Sequence, residues 1–344
     1  MPRLRRVDPA GPGLTRRRRG QGFEYLDPAG DRVTDPETVQ RIRSLAIPPA
    51  WKDVWICVEP HGHLQAVGTD AAGRKQYLYH QRWRIHRDRE KFERMLEFAR
   101  ALPGLRRRVH RHLERPDVDR ERVLACAVRL LDHGFFRIGS ESYAKENGSF
   151  GLATLLKRHV SVSDGTAEFD YPAKGGARRR QTISDRDAVP VLRTLRRRRG
   201  GGQRLLAYRR GRRWVDVRSE DINAYIKELT GEEFTAKDFR TWNGTLLAAV
   251  AVASRPSPSS KTGRKRAVVS AVKTVSGYLG NTPAVCRASY IDPKVFDRFQ
   301  AGVTIGPVLD VALEDEELDI AVLHGRVEEA VIDLLEDAPA ARAA

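Results

Sequence analysis

Residues 119–143, DRERVLACAVRLLDHGFFRIGSESY, decide the architecture. Val123, Leu124, Ala127, Leu130 and Leu131 recur at spacings of three and four, which predicts a helix with a wide apolar face. Gly134 is placed to stop it, and an arginine, Arg137, follows within three residues. Upstream the period is different. From Gly22 to about Trp83 short strand-like runs, GFEYL, VWICV, HLQAVG and QYLYH, are separated by Pro and Gly punctuation. One helix, TDPETVQRIRSL, interrupts them, with Asp35 as N-cap and Pro36 as first residue. Helical spacing begins near Arg84 in EKFERMLEFARAL and persists through the central stretch. Downstream lies one β insertion: HVSVS, an Asp164-Gly165 turn, TAEFDYPA, a Lys174-Gly175-Gly176 turn and RRRQTIS read as three antiparallel strands, with Lys174 at the tip of the second hairpin.

The expected fold class is therefore α+β. A basic disordered arm over 1–21 precedes a small β-rich domain over 22–90, and a larger, mainly α domain with the hairpin insertion occupies 91–344. In the latter, SEDINAYIKEL and TAKDFRTWNGTLLAAVAVAS read as helices, and Thr235 with Asp238 forms a capping pair. Lys237 and Arg240 then share a face of the first turns, where exposed backbone N–H groups also favour an anion. RPSPSSKTGRKR reads as a basic linker and AVVSAVKTVSGYLG as the next helix. Thr282-Pro283 opens a short helix that ends at Tyr290, just before a new start at Asp292-Pro293.

Composition narrows the partner. The chain has 344 residues, 40% hydrophobic and 31% charged, enough for two domains with separate cores. Lys and Arg number 62 against 45 acids, a net charge of +17, which points to a polyanion and to nucleic acid first. Eleven acids against one arginine fall between Asp310 and Asp337, so the first 309 residues hold about +26. That acidic segment reads either as a shield for the basic surface or as a final packed helix. Ten arginines between Arg193 and Arg213 read as a non-specific phosphate-binding or solvated surface. Three well-separated cysteines, Cys57, Cys126 and Cys286, indicate reduced thiols in a reducing cytoplasm rather than a disulfide framework or a zinc site. The N-terminus has no apolar core of a signal sequence, and no run reaches membrane-spanning length, which argues against export and insertion.

Five residues carry the chemistry: Arg137, Lys174, Arg240, Asn281 and Tyr290, a cationic set ending in a phenol, with no metal-binding motif nearby. Attack on a phosphodiester builds negative charge, and guanidiniums meet the non-bridging oxygens bidentately. A phenol forms a covalent phosphoester when nearby cations activate it. Spacing alone does not select these residues from so many basic ones. Arg137 read singly is a helix-end donor, Arg240 a surface charge, Lys174 a solvated turn residue, and Tyr77 with Tyr79 a cross-strand aromatic pair.

The motifs do more. FFRIGSESY around Arg137, DYPAKGG around Lys174, TAKDFRTW around Arg240, LGNTPAVCRASYIDP ending at Tyr290, and GRKQYLYHQRW in the first domain together resemble the poxvirus-like and bacterial type IB DNA topoisomerases. The resemblance covers most of 22–300. It implies that Tyr290 attacks the scissile phosphate and becomes joined to a DNA 3′ end, that Arg137 and Arg240 hold the non-bridging oxygens, and that Lys174 protonates the departing 5′ oxygen. Lys237 would add a phosphate contact, Tyr77 and Tyr79 would touch DNA, and Tyr143 would lie against a base or sugar. Double-stranded DNA is the implied partner, held by a monomeric clamp in the cytoplasm at the nucleoid, with no cofactor, no metal and no membrane. Two departures stand out. Asn281 replaces a histidine of the poxvirus-like members, so this position donates hydrogen bonds without becoming cationic. Gly175 replaces an acid after the hairpin lysine, so the tip is expected to be flexible and to order on DNA.

Two other readings compete. A tyrosine recombinase uses similar chemistry, but its usual box has a histidine where Lys237 stands. A non-enzymatic architectural protein needs basicity alone.

Overall fold

The computed structural model describes residues 3–254, 258–314 and 324–336. The chain divides into two compact units, residues 1–93 and 94–344. In the first, an antiparallel five-stranded sheet has the order β2-β1-β3-β4-β5. Its strands are β1 (Leu14–Arg19), β2 (Gly22–Leu26), β3 (Lys52–Ile56), β4 (Leu64–Thr69) and β5 (Lys75–Tyr79). Helix α1 (Pro36–Ser44) is capped by Asp35, whose carboxylate accepts from the Thr38 N–H. The core gathers Leu14, Ile42, Val54, Ile56 and Ala66, with Tyr25, Val33, Trp51 and Leu78 against it.

The arm expected to be disordered over 1–21 is corrected here, because its second half is β1, between β2 and β3. Leu14 is buried, and Arg16 donates to the carbonyls of Ile47, Pro48 and Trp51 while lying 4.1 Å from the Phe23 ring centre. Arg17 pairs with Glu24 at 2.6 Å. An arginine run has no apolar alternation to announce a strand; its partners come from other segments.

Helix α2 (Gln81–Leu113) carries the chain into the second unit. There α3 (Arg120–Gly134) is buried almost all round, as a central core helix must be. Next come α4 (Glu141–Asn147) and the three-stranded insertion β6 (Val160–Ser163), β7 (Thr166–Pro172) and β8 (Arg178–Ser184), antiparallel throughout. Beyond it lie α5 (Ala188–Arg197), a small hairpin of β9 (Ala207–Arg210) and β10 (Arg213–Asp216), and α6 (Ser219–Thr230). The rest of the described second unit folds as α7 (Ala236–Ala253), α8 (Lys261–Leu279), α9 (Pro283–Ser289), α10 (Pro293–Gln300), α11 (Gly306–Glu314) and α12 (Arg326–Glu336).

Three local expectations change. Gly134 is the last residue of α3, and the left-handed conformation that ends the helix belongs to Phe135, at φ 53°. Glycine is needed at 134 for space, since a Cβ there would meet the Phe136 ring at 2.4 Å. The basic linker is shorter than expected: residues 255–257 lie outside the described residues, and Ser260 accepts from the Gly263 N–H to start α8 at Lys261. Of the acidic segment, 315–323 and 337 lie outside the described residues, while α12 is a packed helix with Val327, Val331 and Leu335 buried. Its Glu328 accepts from Arg106 at 2.5 and 2.9 Å and from the Trp242 indole at 2.9 Å, and Arg106 also holds both oxygens of buried Asp132. No helix among the described residues is long and apolar enough to cross a membrane.

Candidate active site

Helix α7 supplies the deepest cation. Asp238 accepts from the Thr235 backbone N–H at 2.7 Å, fixing where the helix begins, so Arg240 emerges one turn later on the inward side. Arg240 is 5% exposed and donates to the carbonyls of Phe135 (3.0 Å) and Leu279 (2.9 Å). The left-handed turn at Phe135 thus leaves its carbonyl to Arg240, with Arg137 two residues further on. Lys237, expected on the same face as Arg240, is exposed, so the two occupy different environments. Burial lowers the Arg240 pKa from its ordinary value; Tyr290 opposes that shift, and Arg137 and Arg179 add to it.

Arg137 approaches from the loop after α3. Its Nη2 donates to the Gly280 carbonyl at 2.6 Å and to the Asn281 Oδ1. Gly280, at φ 62°, ends α8 in the left-handed form that glycine adopts without strain. With its oxygen committed to Arg137, Asn281 is left with a buried Nδ2 that has no hydrogen-bond partner among the described residues. A buried, unpartnered donor beside two arginines suits an acceptor brought by a ligand.

Tyr290 caps α9, donating its backbone N–H to Cys286 at 3.0 Å. Thr282 and Pro283 start that helix, and Asp292, accepting from the Lys294 N–H at 2.9 Å, starts the next. The half-buried phenol therefore sits in a short kink between two capped helices. Its ring centre lies 5.0 Å from the Arg240 Cζ. Its backbone rests on α7: the Thr245 hydroxyl lies 3.3 Å from the Tyr290 carbonyl, and a Cβ on Gly244 would come within 2.5 Å of that oxygen. Burial pushes the nearby Cys286 thiol up to about 11.

The structure thus brings Arg137, Arg240, Asn281 and Tyr290 together through shared contacts. Lys174 stands apart at the exposed hairpin tip, followed by Gly175 (φ 82°) and Gly176 (φ 76°), with its Nζ 5.6 Å from the Tyr143 ring centre. In the first unit, Tyr77 and Tyr79 are 46% and 42% exposed and stack on each other 6.2 Å apart as same-strand neighbours, not as a cross-strand pair.

Sequence reading missed Arg179. On β8 the outward residues Arg178 and Arg180 pair with Asp170, while Arg179 points inward and donates to the carbonyls of Gly277 (3.0 Å) and Tyr278. Period-two alternation within RRRQTIS was the available signal. The strand partner of Arg179 is Tyr171, a buried phenol pushed up to about 12 by desolvation.

Comparison with known proteins gives the family. Residues 80–304 match the family described as "Eukaryotic DNA topoisomerase I, catalytic core", and residues 22–70 match "Bacterial DNA topoisomerase IB, N-terminal domain". The "DNA topoisomerase 1B" of Acanthamoeba polyphaga mimivirus is 31% identical over 299 residues, covering 84% of this chain and 88% of that one. The "DNA topoisomerase I" of Monkeypox virus and the "DNA topoisomerase 1B" of Vaccinia virus (strain Copenhagen) are 23% and 22% identical, each over 87% of this chain and 93% of theirs. The core match begins just before α2 and ends beyond Tyr290, enclosing the whole cluster, and with a front sheet from the same lineage the chain belongs to the type IB DNA topoisomerase family.

Proposed function

We propose that this topoisomerase relaxes supercoiled duplex DNA through a 3′-phosphotyrosyl intermediate at Tyr290. The Tyr290 oxygen attacks the phosphorus and its proton passes to solvent. The bond to the 5′ oxygen breaks, Lys174 protonates that oxygen, and the freed strand rotates before the 5′ hydroxyl attacks back. Arg137 and Arg240 hold the non-bridging oxygens, and the Nδ2 of Asn281 donates to one of them. The observation that carries this reading is the convergence of Arg137, Arg240, Asn281 and Tyr290 from four separate segments around an unpartnered buried donor.

Lys237, Tyr143, Tyr77 and Tyr79 contact the duplex in this reading, and the exposed arginines near Trp214 add sequence-independent attraction. The protein works as a monomeric clamp at the nucleoid, in the cytoplasm. The test is relaxation of supercoiled plasmid in EDTA, followed by denaturation and a search for protein attached to DNA 3′ ends. Tyr290→Phe is expected to bind DNA and abolish both relaxation and adduct. Retained relaxation by Tyr290→Phe, or adduct at 5′ ends, would overturn the reading.

A further inference from the structure

Helix α8 ends without a basic residue of its own in the last turn, yet four successive carbonyls there are met by arginines from three other elements. Arg179 of β8 takes Gly277 and Tyr278, Arg240 of α7 takes Leu279, and Arg137 takes Gly280. These arginines differ in what they keep free. Arg137 makes its contacts through Nη2 alone among the described residues, leaving Nε and Nη1 for a ligand. In Arg179 every nitrogen is engaged: Nη1 and Nη2 on the two carbonyls, and Nε on the Gln181 Oε1 at 2.9 Å. Gln181 in turn donates to the Gly134 carbonyl at 3.1 Å. Arg179 and Gln181 therefore fasten one face of β8 to the ends of both α8 and α3.

Lys174 lies five residues before Arg179, beyond a turn in which the Ala173 N–H donates to Ala177 at 2.8 Å. The two glycines that follow it have open space where a Cβ would be and hold nothing in place. The aim of the lysine is consequently set just below the turn, at the first pairs of β7 and β8, where Arg179 opposite Tyr171 is the charged link to the helix end that precedes Asn281.

We propose that Arg179 is a positioning residue that fastens the Lys174 hairpin to the carbonyl end of α8, so that the proton donor stays in register with the phosphate-holding groups. The inference rests on the reading of Lys174 as the donor to the 5′ oxygen.

The test compares single-turnover cleavage of two duplexes by the full-length protein. One carries the ordinary 5′ oxygen at the scissile bond. The other carries sulfur there, so that the P–S bond breaks and the thiolate departs without needing a proton. Arg179→Ala is expected to slow cleavage of the oxygen substrate at least tenfold, yet to cleave the sulfur substrate within about threefold of the unmodified protein. Combined with Lys174→Ala it should be no slower than Lys174→Ala alone, because both act on one proton transfer. Arg179→Lys keeps the charge but cannot span two carbonyls, and should show the same pattern at smaller size, which covers the case of a poorly folded Arg179→Ala. Equal slowing on both substrates, or no slowing at all, would overturn the inference while leaving the donor reading intact. If Lys174→Ala is itself not rescued by sulfur, the donor reading fails and this inference falls with it.

Discussion

Replacing Gly244 by alanine sets two effects against each other. Within a helix interior the change ordinarily stabilises by about 1 kcal/mol. Here the new Cβ would lie 2.5 Å from the Tyr290 carbonyl oxygen, 3.1 Å from the Tyr290 Cβ and 3.2 Å from a Leu279 methyl. Unstrained contact begins near about 3.5 Å, so the Tyr290 backbone must retreat by roughly 1 Å or α7 must bend. A misplacement of that size costs on the order of a hundredfold in rate, or about 2.7 kcal/mol of barrier. Overpacking adds about 1–3 kcal/mol against the fold, outweighing the gain in helix propensity. The assay is single-turnover formation of the covalent DNA adduct, with duplex binding and thermal unfolding measured in parallel. The expected result is a rate lowered about 30- to 100-fold, unchanged DNA binding and slightly lowered stability. Gly277→Ala is the control: a Cβ there meets nothing within 4 Å, so it should leave unfolding unchanged or raise its midpoint. A Gly244→Ala protein that forms adduct at the parent rate would refute the claim that α7 fixes the position of the phenol.

Asn281→Ala should lower the cleavage rate by about ten- to a hundredfold with duplex binding retained, because it removes both the buried Nδ2 and the acceptor that holds Arg137. Glu328→Ala leaves Arg106 paired with Asp132 alone and the buried Trp242 indole without its acceptor, and should destabilise the second unit by about 2 kcal/mol, read as a lowered midpoint of thermal unfolding. Acid should act in two windows. Burial lowers the His324 pKa from 6.5 to about 4, so the unfolded chain takes up a proton that the folded chain refuses, and stability falls as pH drops from 6.5 toward 4. Asp132 and Asp185 are held well below the usual carboxylate range despite burial, Asp132 chiefly by Arg106 and Asp185 chiefly by His133. Their contribution is present above about 3.8 and lost as pH falls below it. Denaturant unfolding followed across pH should show the upper window shrink in His324→Gln, leaving the smaller part contributed by burial of His159.

The caps were legible because their chemistry is local: Asp35-Pro36, Thr235 with Asp238, Thr282-Pro283 and Asp292-Pro293 each begin the helix that the residues predict. The hairpin of Lys174 was legible for the same reason, through Asp164-Gly165 and paired glycines at positive φ. What escaped depends on partners distant in sequence. Strand β1 is an arginine run whose acceptors lie on residues 24 and 47–51, and β9 and β10 hide in a similar run. Arg179 looks the same in sequence as Arg178 and Arg180; only the pleat, and the arrival of α8 nearly a hundred residues later, gives it a separate task. At the site, family motifs selected Tyr290, Arg137 and Arg240, whereas the empty donor of Asn281 and the seat of Tyr290 on Gly244 exist only in three dimensions.

That seat has a mechanical consequence. Gly244 and Thr245, which cradle the main chain of Tyr290, belong to the same helix as Arg240. In the proposed reaction, a strand end anchored to the phenol while the duplex unwinds would exert torque, and the load would pass into one helix that also carries the guanidinium proposed to hold the phosphate. On that proposal, twisting would move the attachment point and Arg240 as one body, and the geometry for resealing would survive each turn of the free strand.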